Sequence, residues 1–108
     1  MPVDNPNVVD LIIHDPASGE FALIMVADWD WAVEPELRLE LLRRKIENYL
    51  AFAQDGDLVA QYPQAEGQPV RLQLDTVHPL SPAAAELVAG WRGRLIEQWI
   101  PFDVNQLG

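Results

Sequence analysis

The sequence contains no cysteine and few side chains of the kinds that attack substrates covalently. Without cysteine the chain has no disulfide, no thiolate zinc site and no cysteine nucleophile, which fits a reducing compartment. The only serines are Ser18 and Ser81, the only threonine is Thr76, and Lys45 is the only lysine. Because Ser18 falls in a predicted turn and Ser81 at a predicted helix cap, we do not expect covalent catalysis.

Long apolar runs are also missing. No segment approaches the ~18 apolar residues of a membrane span, and the amino terminus lacks the basic and apolar stretches of a secretory signal. We therefore expect a cytoplasmic protein that is not attached to a membrane. The 108 residues, 49% of them hydrophobic, are enough for a single domain over residues 1–108 with one core.

Positive charge is scarce. Seven Lys and Arg stand against 17 Asp and Glu, which gives a net charge of −10, and eight acids precede the first base, Arg38. Such a field repels phosphate backbones and anionic lipids, so nucleic acid and membranes are not expected as partners. The acidic surface either keeps the protein in solution or steers a basic protein toward it.

The first third of the chain predicts a β-hairpin. Residues 8–14 and 21–28 are β-branched and aliphatic, and residues 15–20 have the composition of a turn. We predict a register in which Ile13 faces Phe21, which places large apolar residues on the core side.

In that register the second side of the hairpin is too apolar for a solvated face. We therefore expect it to be covered, and a homodimer joined through this face would cover it. The predicted interface residues are Val8, Ile12, Ala22, Ile24 and Val26.

The rest of the chain predicts two helices and two strands. Proline near the start of each helix and apolar residues at three- and four-residue spacing favour helices over residues 34–54 and 81–99. Strands are predicted over residues 70–77 and 102–105. We expect an α+β fold of two layers, with a mixed four-stranded sheet, two helices on one face and the order β-β-α-β-α-β.

Two local features of the helices carry expectations of their own. The run Arg43-Arg44-Lys45 is predicted to lie on a solvated face, with Arg44 paired to Glu40. Gly90 and Gly93 each cost about 1 kcal/mol in a helix relative to alanine, and close packing against another element would explain them.

Acid-base and metal chemistry could use only a few side chains. The candidates are His14, Asp15, Asp28, Asp30 and His78, but His14 and Asp28 fall at opposite ends of the predicted hairpin. We expect His14 to be a cross-strand partner of Glu20 and His78 to mark a strand exit. No metal and no cofactor is expected.

The segment Asp28-Trp29-Asp30-Trp31 has two interpretations. If the second strand continues, both tryptophans follow its core-facing residues inward. Alternatively, the four residues form an aromatic and acidic patch that contacts a basic partner.

Several segments resemble a known family. These are residues 3–12 and 15–20, Lys45-Ile46-Glu47-Asn48-Tyr49-Leu50-Ala51-Phe52, and Gly56-Asp57-Leu58-Val59-Ala60-Gln61-Tyr62-Pro63. They resemble a family of small bacterial proteins that is described only as a domain of unknown function, and the resemblance covers roughly residues 3–75. It implies a bacterial cytoplasmic protein and no particular activity.

The leading interpretation is a non-catalytic interaction module, either a homodimer or a binder of another protein through its acidic surface. An immunity- or antitoxin-like role is one form of it, because neutralising a basic toxin favours complementary charge. The alternative is a small enzyme or ligand-binding protein that uses His78 with acids from residues 28–36.

Overall fold

A computed structural model of the chain describes residues 11–107. Four strands form one sheet in the order β1-β2-β3-β4, in which β2 pairs antiparallel with β1 and parallel with β3, and β3 pairs parallel with β4. The strands are β1 Leu11–His14, β2 Phe21–Ala27, β3 Val70–Thr76 and β4 Phe102–Gln106. The predicted mixed four-stranded sheet is confirmed.

Three helices connect the parallel strands. They are α1 Pro35–Gln54, α2 Asp57–Gln61 and α3 Pro82–Ile96, and a short 3-10 turn, Pro63–Ala65, follows α2. The α+β class and the predicted order of the long elements are confirmed, and α2 is an additional short helix between α1 and β3. Within residues 11–107 no helix is both long enough and apolar enough to cross a membrane.

Both long helices pack on one face of the sheet. Their buried side chains belong to the same cluster as those of the three parallel strands. The largest side chains of this core are Phe21, Leu23, Met25, Trp31, Leu42, Ile46, Tyr49, Leu58, Leu72, Leu74, Leu95 and Phe102. Residues 11–107 therefore form a two-layer structure, and among them no long helix lies on the second face of the sheet.

The predicted register of the hairpin is wrong by one residue. His14 pairs with Phe21 and Ile12 with Leu23, so Ile12 lies on the helix side and packs against the core. Leu11 and Ile13 take the other side, and each is 47% exposed. Because successive side chains point to opposite faces of a strand, a register error of one residue assigns each side chain of β1 to the wrong face.

The turn of the hairpin explains this register. The amide of Asp15 donates to the carbonyl of Glu20 (2.9 Å), the amide of Gly19 donates to the carbonyl of Asp15 (2.8 Å), and Gly19 has a φ of 80°. The Asp15 carboxylate accepts a bond from the amide of Ala17 (2.9 Å), and this bond, followed by one from the Ser18 side chain, lowers the pKa of Asp15. The closed turn fixes the strand pairing.

Helix α1 follows the predicted spacing, but one charged residue lies inside. Lys45 is only 4% exposed, because it shares the buried stripe with Leu42, Ile46 and Tyr49. Its ammonium lies 5.7 Å from the centre of the Tyr49 ring. The prediction of a solvated run is therefore wrong at Lys45.

The two arginines of that run do lie at the surface. Arg43 pairs with Glu40 and with Glu47 (2.6 Å), and Arg44 Nε donates to Glu40 (3.2 Å). Ion pairs exposed to solvent in this way contribute little to the stability of the fold. Hydrogen bonds from Arg43 lower the pKa of Glu40, and bonds to Glu40 and Glu47 raise the pKa of Arg43.

Helix α3 begins as predicted and ends earlier. The Ser81 hydroxyl accepts a bond from the amide of Ala84 (3.1 Å). The spacing predicts that Trp99 belongs to the buried stripe of this helix. The helix stops at Ile96, however, and Trp99 lies beyond it and is exposed. A Cβ atom added to Gly90 or Gly93 would have no neighbour within 4 Å, so close packing does not explain the glycines.

Strand β4 forms one edge of the sheet. The carbonyl of Pro101 accepts a bond from Leu72 of β3 (2.9 Å), so the carbonyl of Phe102 points away from β3. Arg92 of α3 reaches this outward carbonyl and donates to it through Nε (2.9 Å).

Candidate functional site at the carboxyl edge of the sheet

Strands β2 and β3 end side by side. Ala27 pairs with Thr76, and the amide of Val77 donates to the carbonyl of Ala27 (3.0 Å). The loops that follow these strands therefore leave from one edge, where parallel sheets usually place their binding residues. Asp28 and His78, two residues of the enzyme interpretation, both follow these strand ends.

His14 lies far from this edge. It pairs with Phe21 at the start of β2, about 20 Å from the end of that strand at ~3.3 Å per residue. Its ring stacks on Phe21 with centroids 4.4 Å apart, and Glu20 instead accepts a bond from Arg71 Nε (3.1 Å). The predicted separation of His14 from Asp28 is confirmed, and the predicted His14–Glu20 pairing is wrong.

Trp31 ties the first loop to the end of β3. It is 2% exposed, and its Nε1 donates to the Thr76 hydroxyl (3.2 Å). That hydroxyl donates in turn to the backbone carbonyl of His78 (2.7 Å). Thr76 is itself buried, so these two hydrogen bonds hold both loops in place. The only threonine hydroxyl of the sequence therefore has a structural role.

Trp29 lies between Trp31 and the surface. The two rings meet edge to face with centroids 5.3 Å apart, and the Arg38 guanidinium lies 5.2 Å from the centre of a Trp29 ring. Within residues 11–107 the buried Trp29 Nε1 and Arg38 Nε have no hydrogen-bond partner. Arg38 is the first basic residue after the eight acids at the start of the chain. Its guanidinium is thus held against an aromatic ring.

The two tryptophans reach the core without a continuing strand. Strand β2 ends at Ala27, and the Asp30 carboxylate then accepts a bond from the amide of Ala32 (2.9 Å), which turns the chain. The core interpretation therefore holds for Trp31, while Trp29 packs on the core with part of its surface exposed.

Exposed acids and exposed apolar side chains lie together in the segment from Asp28 to Leu37. Asp28, Asp30, Glu34 and Glu36 are exposed, and Val33 and Leu37 are 52% and 49% exposed. A hollow of about 390 Å³ is lined by Glu34, Pro35, Glu36 and Leu37. We call the surface formed by Asp28, Asp30, Val33, Glu34, Glu36 and Leu37 the acidic edge.

Glu34 adopts an uncommon backbone conformation within the acidic edge. It precedes α1 with a φ of 49° and a ψ of 57°, the left-handed region that glycine and asparagine favour. Its side chain makes no capping hydrogen bond. The conformation costs roughly 1–2 kcal/mol for a residue with a Cβ atom, and no capping bond offsets this cost.

The two serine hydroxyls also have structural partners. Ser18 accepts a bond from the amide of Glu20 (3.2 Å), and Ser81 caps α3. In the part of the chain that the structure describes, no three His, Asp or Glu side chains lie close enough to bind a metal ion together.

The hairpin face that was predicted as a dimer interface is mostly inaccessible. Ala22 and Ile24 are already buried, Ile12 faces the helices, and Val26 is half-buried. The remaining predicted residue, Val8, is outside the described residues. The exposed apolar residues of this face are Leu11 and Ile13.

The neighbouring half of the same face is polar. Arg71 bonds to Glu20 and to Gln73, and Gln73 donates to Asp75 (2.6 Å). Arg71 also lies 3.7 Å from Asp103 of β4. The sheet face opposite the long helices is therefore apolar over β1 and β2 and polar over β3 and β4.

The fold and this edge define a small α+β domain with an acidic surface at the carboxyl ends of its parallel strands. The chain belongs to a family of unknown function, DUF6572, whose model matches residues 1–107. The match extends the resemblance seen over residues 3–75 to nearly the whole chain. Comparisons with the curated proteins and with the solved structures found no match.

Sequence reasoning missed two members of the acidic edge. Val33 and Leu37 lie four residues apart, a spacing typical of the start of an amphipathic helix, so nothing in the sequence indicated their exposure. Proline favours an extended backbone in the residue before it, so Pro35 did not signal the left-handed conformation of Glu34.

Proposed function

We propose that this protein is a non-catalytic interaction module whose acidic edge binds a basic protein in the cytoplasm. The observation that carries the proposal is the exposure of Val33 and Leu37 among four exposed carboxylates. Apolar contacts supply affinity at the centre of an interface, and charges around them steer the partner and set its orientation.

The partner's chemistry follows from this composition. A surface of apolar side chains flanked by lysine or arginine would complement the acidic edge, whereas an acidic protein would be repelled. The net charge of −10 extends the attraction beyond direct contact. Neutralisation of a basic toxin, as an immunity protein or antitoxin performs it, is one role that this chemistry allows.

The strain at Glu34 supports the proposal. Backbone strain concentrates at functional sites because selection for stability alone would remove it. Glycine at this position would fit the observed φ of 49° better than glutamate does. Retention of a charged residue there is expected if its carboxylate contacts a partner.

The first test measures charge dependence of binding. The immobilised chain is exposed to extract of its source cells, and a captured protein is purified for Kd measurement by calorimetry. We expect a basic protein whose Kd rises about tenfold or more, equivalent to about 1.4 kcal/mol, when Asp28→Asn and Glu36→Gln are combined. High salt should weaken binding in the same direction.

The matched control is Asp57→Asn combined with Glu86→Gln. It makes the same change in net charge at two exposed acids outside the acidic edge, so Kd should stay close to that of the parent. A captured partner that binds the acidic-edge variant and the parent equally well, or that binds independently of salt, would refute the proposal.

The second test separates strain from charge at Glu34. Glu34→Gly should raise the free energy of unfolding by about 1 kcal/mol, because glycine adopts the left-handed region without a steric penalty, while it weakens partner binding. Glu34→Gln should weaken binding similarly and leave stability nearly unchanged. Urea denaturation and calorimetry measure the two effects, and a stabilised Glu34→Gly variant with unchanged Kd would remove Glu34 from the interface.

A further inference from the structure

Trp99 forms a second exposed surface at the opposite end of the sheet. It is 89% exposed, although tryptophan is the largest apolar side chain available to the protein. It lies close to where β3 and β4 begin, at Val70 and Phe102, and therefore at the amino edge of the parallel strands. The acidic edge is formed at the other ends of these strands.

The backbone of Trp99 is unfavourable as well. Two bonds close the end of α3: the amide of Ile100 donates to the carbonyl of Leu95, and the amide of Trp99 to that of Ile96, both at 3.0 Å. This is the Schellman arrangement, in which the residue at the position of Trp99 is left-handed and most often glycine. Trp99 has a φ of 63° there.

Stability of the isolated chain does not explain this residue. The arrangement places Leu95 and Ile100 in the core, and it requires only the left-handed backbone of the residue between them. Glycine would provide that backbone without the cost of a side chain, roughly 1–2 kcal/mol. A strained tryptophan with most of its surface exposed is explained if the ring packs against another molecule.

A shallow groove lies beside the ring. Its volume is about 450 Å³. The lining residues are Ala53, Gln54, Gly67, Gln68, Pro69, Val70, Gln98, Trp99 and Ile100. None of these nine residues carries a charge, in a chain whose net charge is −10.

The chemistry of the groove favours a second copy of the same chain. In a dimer with a twofold axis each residue near the axis meets its own copy. Carboxylates would repel one another there, whereas the amides of Gln54, Gln68 and Gln98 each contain a donor and an acceptor and can pair with identical groups. Gln54 already donates to Gln98 within the chain.

We propose that the Trp99 groove joins two copies of this chain about a twofold axis, with the Trp99 ring of each copy seated in the groove of the other. This surface is independent of the acidic edge, which stays free at the far end of each copy. The dimer therefore presents two acidic edges, and loss of either surface leaves the other intact.

Sedimentation velocity over a range of concentrations tests the proposal with the full chain. The parent should dimerise, and Trp99→Gly should sediment as a folded monomer. The free energy of unfolding of this variant should be at least equal to that of the parent monomer. Because glycine fits the left-handed backbone, we expect Trp99→Gly to fold. A monomeric state of this variant would therefore report loss of the interface and not loss of folding.

A charge variant provides the matched comparison. Gln68→Glu places a carboxylate in the groove and should weaken dimerisation about tenfold or more, whereas Gln106→Glu at the opposite edge should leave it unchanged. A parent that is monomeric at every concentration would overturn the proposal. A dimer that survives both Trp99→Gly and Gln68→Glu would also overturn it, and neither result bears on binding at the acidic edge.

Discussion

Replacing Trp31 with alanine is expected to lower the free energy of unfolding by about 3 to 5 kcal/mol, the range for large aromatic residues removed from a core. Trp31 is 2% exposed, so truncation leaves a cavity beneath the loop that leads into α1. The Thr76 hydroxyl also loses the donor that joins this loop to β3. Both effects destabilise the same region.

Chemical denaturation followed by circular dichroism measures this change without relying on tryptophan emission. Trp31→Phe separates the two contributions, because it keeps most of the buried ring and removes the donor to Thr76. We expect it to cost about 1 to 3 kcal/mol, less than the alanine variant. A cost below about 1 kcal/mol for Trp31→Ala would show that this ring does not pack as described.

Replacing Ile24 with aspartate is the second change with a large expected effect. Ile24 is 4% exposed in β2, between two neighbouring strands. A carboxylate there would be buried without a partner, which costs several kcal/mol and raises the pKa of the new acid. With a native stability of about 5 to 15 kcal/mol, the variant is expected to be strongly destabilised or unfolded at neutral pH.

The cross-strand neighbour of Ile24 provides the control. Leu11 pairs directly with Ile24 across the hairpin but is 47% exposed, so Leu11→Asp places the same carboxylate in solvent. We expect a loss of about 1 kcal/mol or less for Leu11→Asp in the same denaturation experiment. Equal losses for the two variants would contradict the register described for this hairpin.

Local signals predicted most of the fold correctly. Pro35 and the Ser81-Pro82 pair mark helix starts through backbone chemistry that does not depend on the rest of the chain. The alternation of polar and apolar residues in β3 likewise reflects one buried face and one open face. Each of these patterns depends only on residues that are close together in the chain, so it can be recognised from the sequence alone.

The register of the hairpin could not be obtained in this way. Both faces of β2 are apolar, so hydrophobic alternation does not favour one pairing over a pairing shifted by one residue. The pairing of the two strands depends on the hydrogen bonds between Asp15, Gly19 and Glu20 that close the turn. These bonds depend on the three-dimensional geometry of the turn, which the hydrophobic pattern does not show. An error of one residue at the turn then changed the face assigned to Ile12.

Side-chain exposure was the least predictable property of the candidate surfaces. Helical spacing places Lys45 beside Ile46 and Tyr49, and the hydrocarbon stem of lysine can lie in such a stripe. The same spacing placed Trp99 in a stripe that the helix never reaches, because α3 ends at Ile96. No glycine marks that end in the sequence, so the usual signal for a helix terminus is missing.

The bond from Arg92 to the carbonyl of Phe102 limits growth of the sheet by strand addition. An edge strand offers its outward backbone groups to any extended chain, and repeated addition of this kind leads to fibrils. Here an incoming strand would have to displace the guanidinium before it could use that carbonyl as an acceptor. A single side chain from the helical layer thus opposes polymerisation at the β4 edge.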